Sequence, residues 1–91
     1  MMDSVSLLAE FLGTFLLVLS VLASGGNPFV IGGTFTVVLL VISKLSGGHI
    51  NPAISFTMYV KGALTLKEML SYSVSQILGG VASLYAYRVF A

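Results

Sequence analysis

A chain of 91 residues that is 57% hydrophobic and only 8% charged has too few polar groups to cover the surface of a soluble domain. Its charged side chains are Asp3, Glu10, Lys44, Lys61, Lys67, Glu68 and Arg88, with none between Phe11 and Ser43, a pattern that places the chain in a lipid bilayer. A net charge of +1 without a basic patch excludes nucleic acid as a partner, and the absence of cysteine excludes disulfides and thiolate metal sites.

The opening, "MMDSVSLLAEF", carries Asp3 and Glu10 where a secretory signal carries basic residues, so the first apolar run is expected to be mature protein. That run, Val5 to Ala23, is just long enough at about 1.5 Å per residue for a hydrocarbon core of about 30 Å. "SGGNP", Ser24 to Pro28, then breaks it, because Gly-Gly and Asn-Pro favour turns. The second span is Phe29 to about Lys44. It is rich in β-branched residues, but an open strand cannot satisfy its backbone in lipid, so helix is expected.

Next comes "SGGHINPAISF", Ser46 to Phe56. Asparagine before proline is a strong helix start: Asn caps, and Pro at the first position has no amide hydrogen to orphan. The helical run from Asn51 to Val60 covers only about 15 Å, half a bilayer. A re-entrant segment over about 46–60 fits: extended "SGGHI" dips into the membrane and the chain returns as a half-helix. Irregular backbone at that depth needs protein or a water-filled lumen to satisfy it. The competing reading is an amphipathic helix lying on the surface, but "AISFTMYV" has almost no polar face.

Lys61 and Gly62 close the half-helix, and "TLKE" at Thr65 to Glu68 has capping-box form. A third span follows over about 66–89, ending in an interfacial belt of Tyr85, Tyr87 and Arg88. Ser71, Ser75, Gly79 and Ser83 recur at four-residue spacing along it, a ridge of small residues on which another helix can pack closely. The expected architecture is a single all-α membrane domain over residues 1–91, with three transmembrane helices and one re-entrant half-helix.

At these residues the chain resembles the aquaporin, or major intrinsic protein, family. "AEFLGT" (Ala9 to Thr14) is similar to the family's first-span signature, "SGGHINPA" (Ser46 to Ala53) to its re-entrant Asn-Pro-Ala box, and "YSVSQILGG" (Tyr72 to Gly80) to its third-span pattern. Full-length members have six spans and two boxes meeting head to head; here there are three spans and one box, followed by Ile54 where the C-terminal box carries arginine. The resemblance is therefore to the N-terminal half.

The resemblance implies roles. Asn51 caps the half-helix and turns its amide donors into the lumen, Pro52 and Ala53 meet a partner box, and the carbonyls of Gly47, Gly48 and His49 form an acceptor ladder. Ile31 takes a filter position that an aromatic often fills, and Leu17, Phe35 and Ile54 make apolar lumen walls. Glu10 braces the re-entrant backbone with help from Gln76. A second reading of Glu10 stays open, a titrating carboxylate in a small proton-coupled transporter, since a carboxylate within a span is expensive. The lone His49 reads as a hydrogen-bonding residue, with no second metal ligand nearby. No metal or cofactor is expected, and no enzyme activity.

The implied function is a passive channel for water and small neutral solutes such as glycerol. It needs a second half-channel, either the same chain inverted or a separate C-terminal-half protein, and a higher oligomer is expected. Lys44, Lys61 and Lys67 against Arg88 favour one orientation, with the N terminus cytoplasmic. A non-conducting truncated product is the other alternative.

Overall fold

The computed structural model describes residues 3–91, which form four helices: α1 (Ser4–Ala23), α2 (Pro28–Ser46), α3 (Pro52–Lys61) and α4 (Leu66–Phe90). Met1 and Met2, the start of the expected domain, lie outside the described residues.

Side chains cap every helix start. The Asp3 carboxylate accepts from the Ser6 N–H at 2.7 Å, and Asn27 accepts from Phe29 and Val30 at 2.9 and 3.2 Å. Asn51 accepts from Ala53 at 2.8 Å. Thr65 and Glu68 form a reciprocal capping box. Asn27-Pro28 and Asn51-Pro52 use the same device, proline filling the first helical position where its missing N–H leaves no donor orphaned. Gly47 and Gly62 end α2 and α3 in the left-handed conformation, with φ of 90° and 91°, where a Cβ would be strained.

α1 is the hub. It packs on α2 and on α4, while α3 packs on α4. α2 runs antiparallel to α1, since the hydroxyl of Ser6 donates to the Leu45 carbonyl at 2.7 Å and Gly13 faces Val38. α4 runs parallel to α1, as the pairings of Glu10 with Gln76 and of Phe11 with Gly79 require. A small apolar core of Ala9, Val38, Ile42 and Ile50 joins α1, α2 and the loop before α3, with Leu17 and Phe35 against it. The longest dimension is 39 Å, close to the thickness of a bilayer with its headgroup regions.

Among the described residues, α1 and α2 are long and apolar enough to cross a membrane. α4 is longer, at 25 residues, but more polar, and its polar face is turned inward: Tyr72, Gln76 and Ser83 are buried.

Along the ridge at four-residue spacing burial is uneven: Gly79 and Ser83 are buried, Ser71 and Ser75 only partly so. A Cβ on Gly79 would stand 2.3 Å from the Phe11 carbonyl oxygen, and Ser83 is fully buried. Ser71 and Ser75 edge an open groove with Leu7 of α1 and Val74. Four residues turn a helix by about 400°, so a strict four-residue series drifts about 40° per step. The buried face follows alternating steps, Met69, Tyr72, Gln76, Gly79 and Ser83. One expectation needs correction: "SGGHI", expected as extended. Ser46 is the last residue of α2, and Gly47, Gly48 and Ile50 have φ of 90°, 69° and 46°. The chain is wound tightly because Glu10 and Tyr72 pull it inward, as described next.

Candidate functional site

α3 begins at the middle of the molecule. Ile50, two residues before it, is buried against Gly13 and offers its carbonyl to the Thr14 hydroxyl at 3.3 Å. Gly13 and Thr14 are the midpoint of α1. From the other side Ser55, in the first turn of α3, meets Gln76, eleven residues into α4.

The loop that delivers α3 is held by one carboxylate. Glu10 is wholly buried and accepts four hydrogen bonds: from the Ser46 hydroxyl at 2.5 Å, the His49 N–H at 3.1 Å, the Ile50 N–H at 2.7 Å and the Gln76 amide at 2.8 Å. All four partners are donors, so the pocket suits a group that only accepts. Two of them are loop backbone N–H groups that would otherwise be buried without a partner.

A second chain of hydrogen bonds runs outward from Gln76. Its amide nitrogen donates to Glu10 and to Ser55 Oγ, each at 2.8 Å. Ser55 Oγ accepts from Gln76 and shares a further hydrogen bond with His49 Nδ1, 3.0 Å away. Gln76 Oε1 is buried with no partner among the described residues. Tyr72 completes the frame: its hydroxyl donates to the Ser46 carbonyl at 2.7 Å, and its ring lies 5.1 Å from that of His49.

With its N–H groups tied inward, the loop leaves its carbonyls free. Among the described residues, the carbonyls of Gly47, Gly48 and His49 accept no hydrogen bond. The Asn51 side chain is exposed; its oxygen caps Ala53, and its NH₂ has no partner among the described residues. Ala53 is exposed beside it, Pro52 is half-buried, and Ile54 lines an open hollow with Ala53, Thr57 and Met58. Leu17 and Phe35 lie together on the apolar core, whereas Ile31 lies near the start of α2, partly exposed. Glu10, Gln76 and His49 are thus brought into one network with the loop. Ile31 is not.

Sequence reasoning passed over Ser6, Thr14, Ser46, Ser55 and Tyr72, all buried and hydrogen-bonded. A signal exists for some: Ser6, Glu10, Gly13 and Leu17, and likewise Tyr72, Gln76, Gly79 and Ser83, follow the three-four spacing of one helix face. Polar and small residues on such a face inside lipid mark an interior contact.

The profile of the family described as "Major intrinsic protein" matches residues 2–90. The chain is 34% identical over 91 residues to the glycerol uptake facilitator protein-like 6 of Lactiplantibacillus plantarum, covering 91% of this chain and 42% of that protein. It is 33% identical over 89 residues to aquaglyceroporin AqpS of Rhizobium meliloti, covering 81% of this chain and 38% of that one. To aquaporin Z of Brucella melitensis it is 34% identical over 97 aligned positions, covering 91% of this chain and 42% of that one. The chain therefore spans about two fifths of the length of the curated relatives it matches. No solved structure matches it. With the match running almost from end to end, the chain belongs to the major intrinsic protein family.

Proposed function

We propose that these residues form one half of a passive membrane channel for water and small neutral solutes. The family is one of integral membrane channels, not enzymes. In this reading α1, α2 and α4 cross the bilayer, and α3 enters from one face and starts at mid-depth. The observation that carries it is the start of α3 beside the midpoint of α1, with three loop carbonyls and the Asn51 NH₂ left without partners among the described residues.

A water molecule entering the bilayer loses hydrogen bonds that must be replaced along its path. Three consecutive carbonyls accept its hydrogens, and the Asn51 amide donates to its oxygen. The amino end of α3, carrying about half an elementary charge of positive potential, disfavours cations at the same depth. Isoleucine stands after the box, at position 54, so no guanidinium narrows or charges the passage there, and a polyol fits beside water. Relatives named as a glycerol facilitator and an aquaglyceroporin support that solute class.

One half-helix lines one side of a lumen. A second, inverted half about a pseudo-two-fold axis in the membrane plane closes the other. Lys44, Lys61 and Lys67 all stand at the end where α1 begins, and Arg88 stands at the opposite end. This lysine bias favours a single orientation and hence a separate complementary half over an inverted copy of the same chain, with the assembled channels forming a higher oligomer.

The test is stopped-flow swelling of proteoliposomes under water, glycerol and pH gradients, with native mass measurement of the assembly. Water and glycerol flux from a paired assembly supports the channel. Fast proton movement without water flux would replace it by the Glu10-coupled transporter.

A further inference from the structure

Glu10, Gly13 and Thr14 share one face of α1, and each takes hold of a different group of Ile50. The Glu10 carboxylate accepts the Ile50 N–H at 2.7 Å. Gly13 leaves the notch that the Ile50 side chain fills, since a Cβ there would stand 2.8 Å from Ile50 Cγ2. The Thr14 hydroxyl donates to the Ile50 carbonyl at 3.3 Å, and among the described residues that carbonyl has no other partner.

Ile50 needs this grip because its φ is 46°, and among the described residues no other residue apart from glycine has a positive φ. A β-branched side chain disfavours that region, and such strain persists only where the surroundings over-determine it. The winding decides how the peptide between residues 50 and 51 is turned. Its carbonyl faces α1. The peptide is trans, so the Asn51 N–H points the opposite way. That N–H has no partner among the described residues, and it belongs to an exposed residue whose side-chain NH₂ is equally unpartnered. Gly47, Gly48 and His49 thus present three free acceptors in succession, and the next peptide presents a donor.

We propose that Thr14 is a positioning residue for selectivity: its hydroxyl keeps the Ile50–Asn51 peptide turned, so that the free carbonyls stop at His49 and a water beside Asn51 meets donors only. A water held through its oxygen by two donors turns both its hydrogens outward along the passage, and no lone pair is left to take a proton from its neighbour. A fourth carbonyl at this height would accept one of those hydrogens, free the water to rotate and give protons a hydrogen-bonded path. Thr14 therefore governs the exclusion of protons and leaves the rate for water almost untouched. The inference rests on the channel reading given above.

Thr14→Val keeps the shape of the side chain and removes the hydroxyl. The Ile50 carbonyl is then buried without a donor, and turning it into the lumen both hydrates it and relaxes the strained φ. In proteoliposomes of the paired assembly, a trapped pH dye should report a proton leak about tenfold faster than the parent's, the effect of one hydrogen bond, with water flux within about twofold. Thr14→Ser retains the hydroxyl and should retain the parent's exclusion of protons. A second measurement needs no variant: in residue-resolved hydrogen exchange of the parent, the Ile50 amide should be protected and the adjacent Asn51 amide unprotected. An Asn51 amide as protected as that of Ile50 would overturn the inference. So would a Thr14→Val assembly that melts earlier, carries water and still holds back protons, which makes the Thr14 bond structural only. Either result strikes this inference alone, whereas a parent assembly without water flux overturns the channel reading and the inference with it.

Discussion

The backbone N–H of Ile50 donates to the carboxylate of Glu10 at 2.7 Å across 40 residues of sequence, at mid-height of the fold. Through this bond the first helix decides where the third begins. Glu10 does not reach α3 itself; it positions the loop whose free carbonyls and Asn51 the proposed lumen requires.

Glu10→Gln removes one acceptor oxygen and turns an NH₂ toward groups that are themselves donors. At least one backbone N–H is left without a partner, and the expected loss of stability is about 2–4 kcal/mol. Thermal unfolding in detergent reads it directly. A variant that melts with the parent chain while losing proton-coupled transport would show that Glu10 titrates rather than braces.

Gly79→Ala and Gly80→Ala should differ sharply although they are neighbours. At Gly79 the new methyl would stand 2.3 Å from the Phe11 carbonyl oxygen, which is backbone and cannot swing aside. Moving α4 off α1 costs about 1–3 kcal/mol. At Gly80 the closest atom is the Val18 Cγ2 at 3.4 Å, an ordinary contact, so the methyl is accommodated. Unfolding midpoints of the two variants, compared side by side, check this.

Asn51→Asp keeps the oxygen that caps Ala53 and replaces the unpartnered NH₂ by charge. Helix content and melting should stay unchanged. Water flux should fall about tenfold, the effect of losing one good hydrogen bond to the permeant. Stopped-flow swelling beside circular dichroism separates the two effects, and equal flux would show that this amide does not meet the solute.

Asp3 supplies the pH dependence at the start of α1. The Ser6 backbone N–H, reinforced by the Ser6 hydroxyl, holds its carboxyl below the ordinary value of 3.8. A depressed folded-state value means that the cap's contribution is complete above about pH 3.8 and is lost as pH falls through the folded value. Protection of the Ser6 amide, its exchange relative to the intrinsic rate at each pH, should therefore fall on acidification below pH 4, and Asp3→Asn should abolish that dependence.

Much of the helical layout was legible because in lipid few signals compete. Charge-free runs, the Ser24–Pro28 break, the Asn51-Pro52 start and a Thr65–Glu68 capping box locate the helix ends to within a residue or two. The short reach of α3 followed from Lys61 and Gly62. The winding of Gly47, Gly48 and Ile50 was not legible. A positive φ at a buried isoleucine is imposed by partners 40 residues away, not by any local preference. A four-residue period looks straight on paper and drifts on a helix, which is why Gly79 and Ser83 are buried while Ser71 and Ser75 are only partly so. The chain has eleven serines, and only three-dimensional pairing separates Ser46 and Ser55 from those that bond their own turn, as Ser43 does with Leu39.

Gly13 is the quiet partner in all of this. A Cβ there would meet Ile50 Cγ2 at 2.8 Å, Ile42 Cδ1 at 2.9 Å and Val38 Cγ1 at 3.0 Å. Three branched side chains converge on the space that a single hydrogen leaves. Positions 13 and 50 are consequently bound into one inheritance: a methyl gained at the first must be matched by carbon lost at the second. In a library of random variants, survivors altered at Gly13 should carry a trimmed residue at Ile50, and neither change should persist alone.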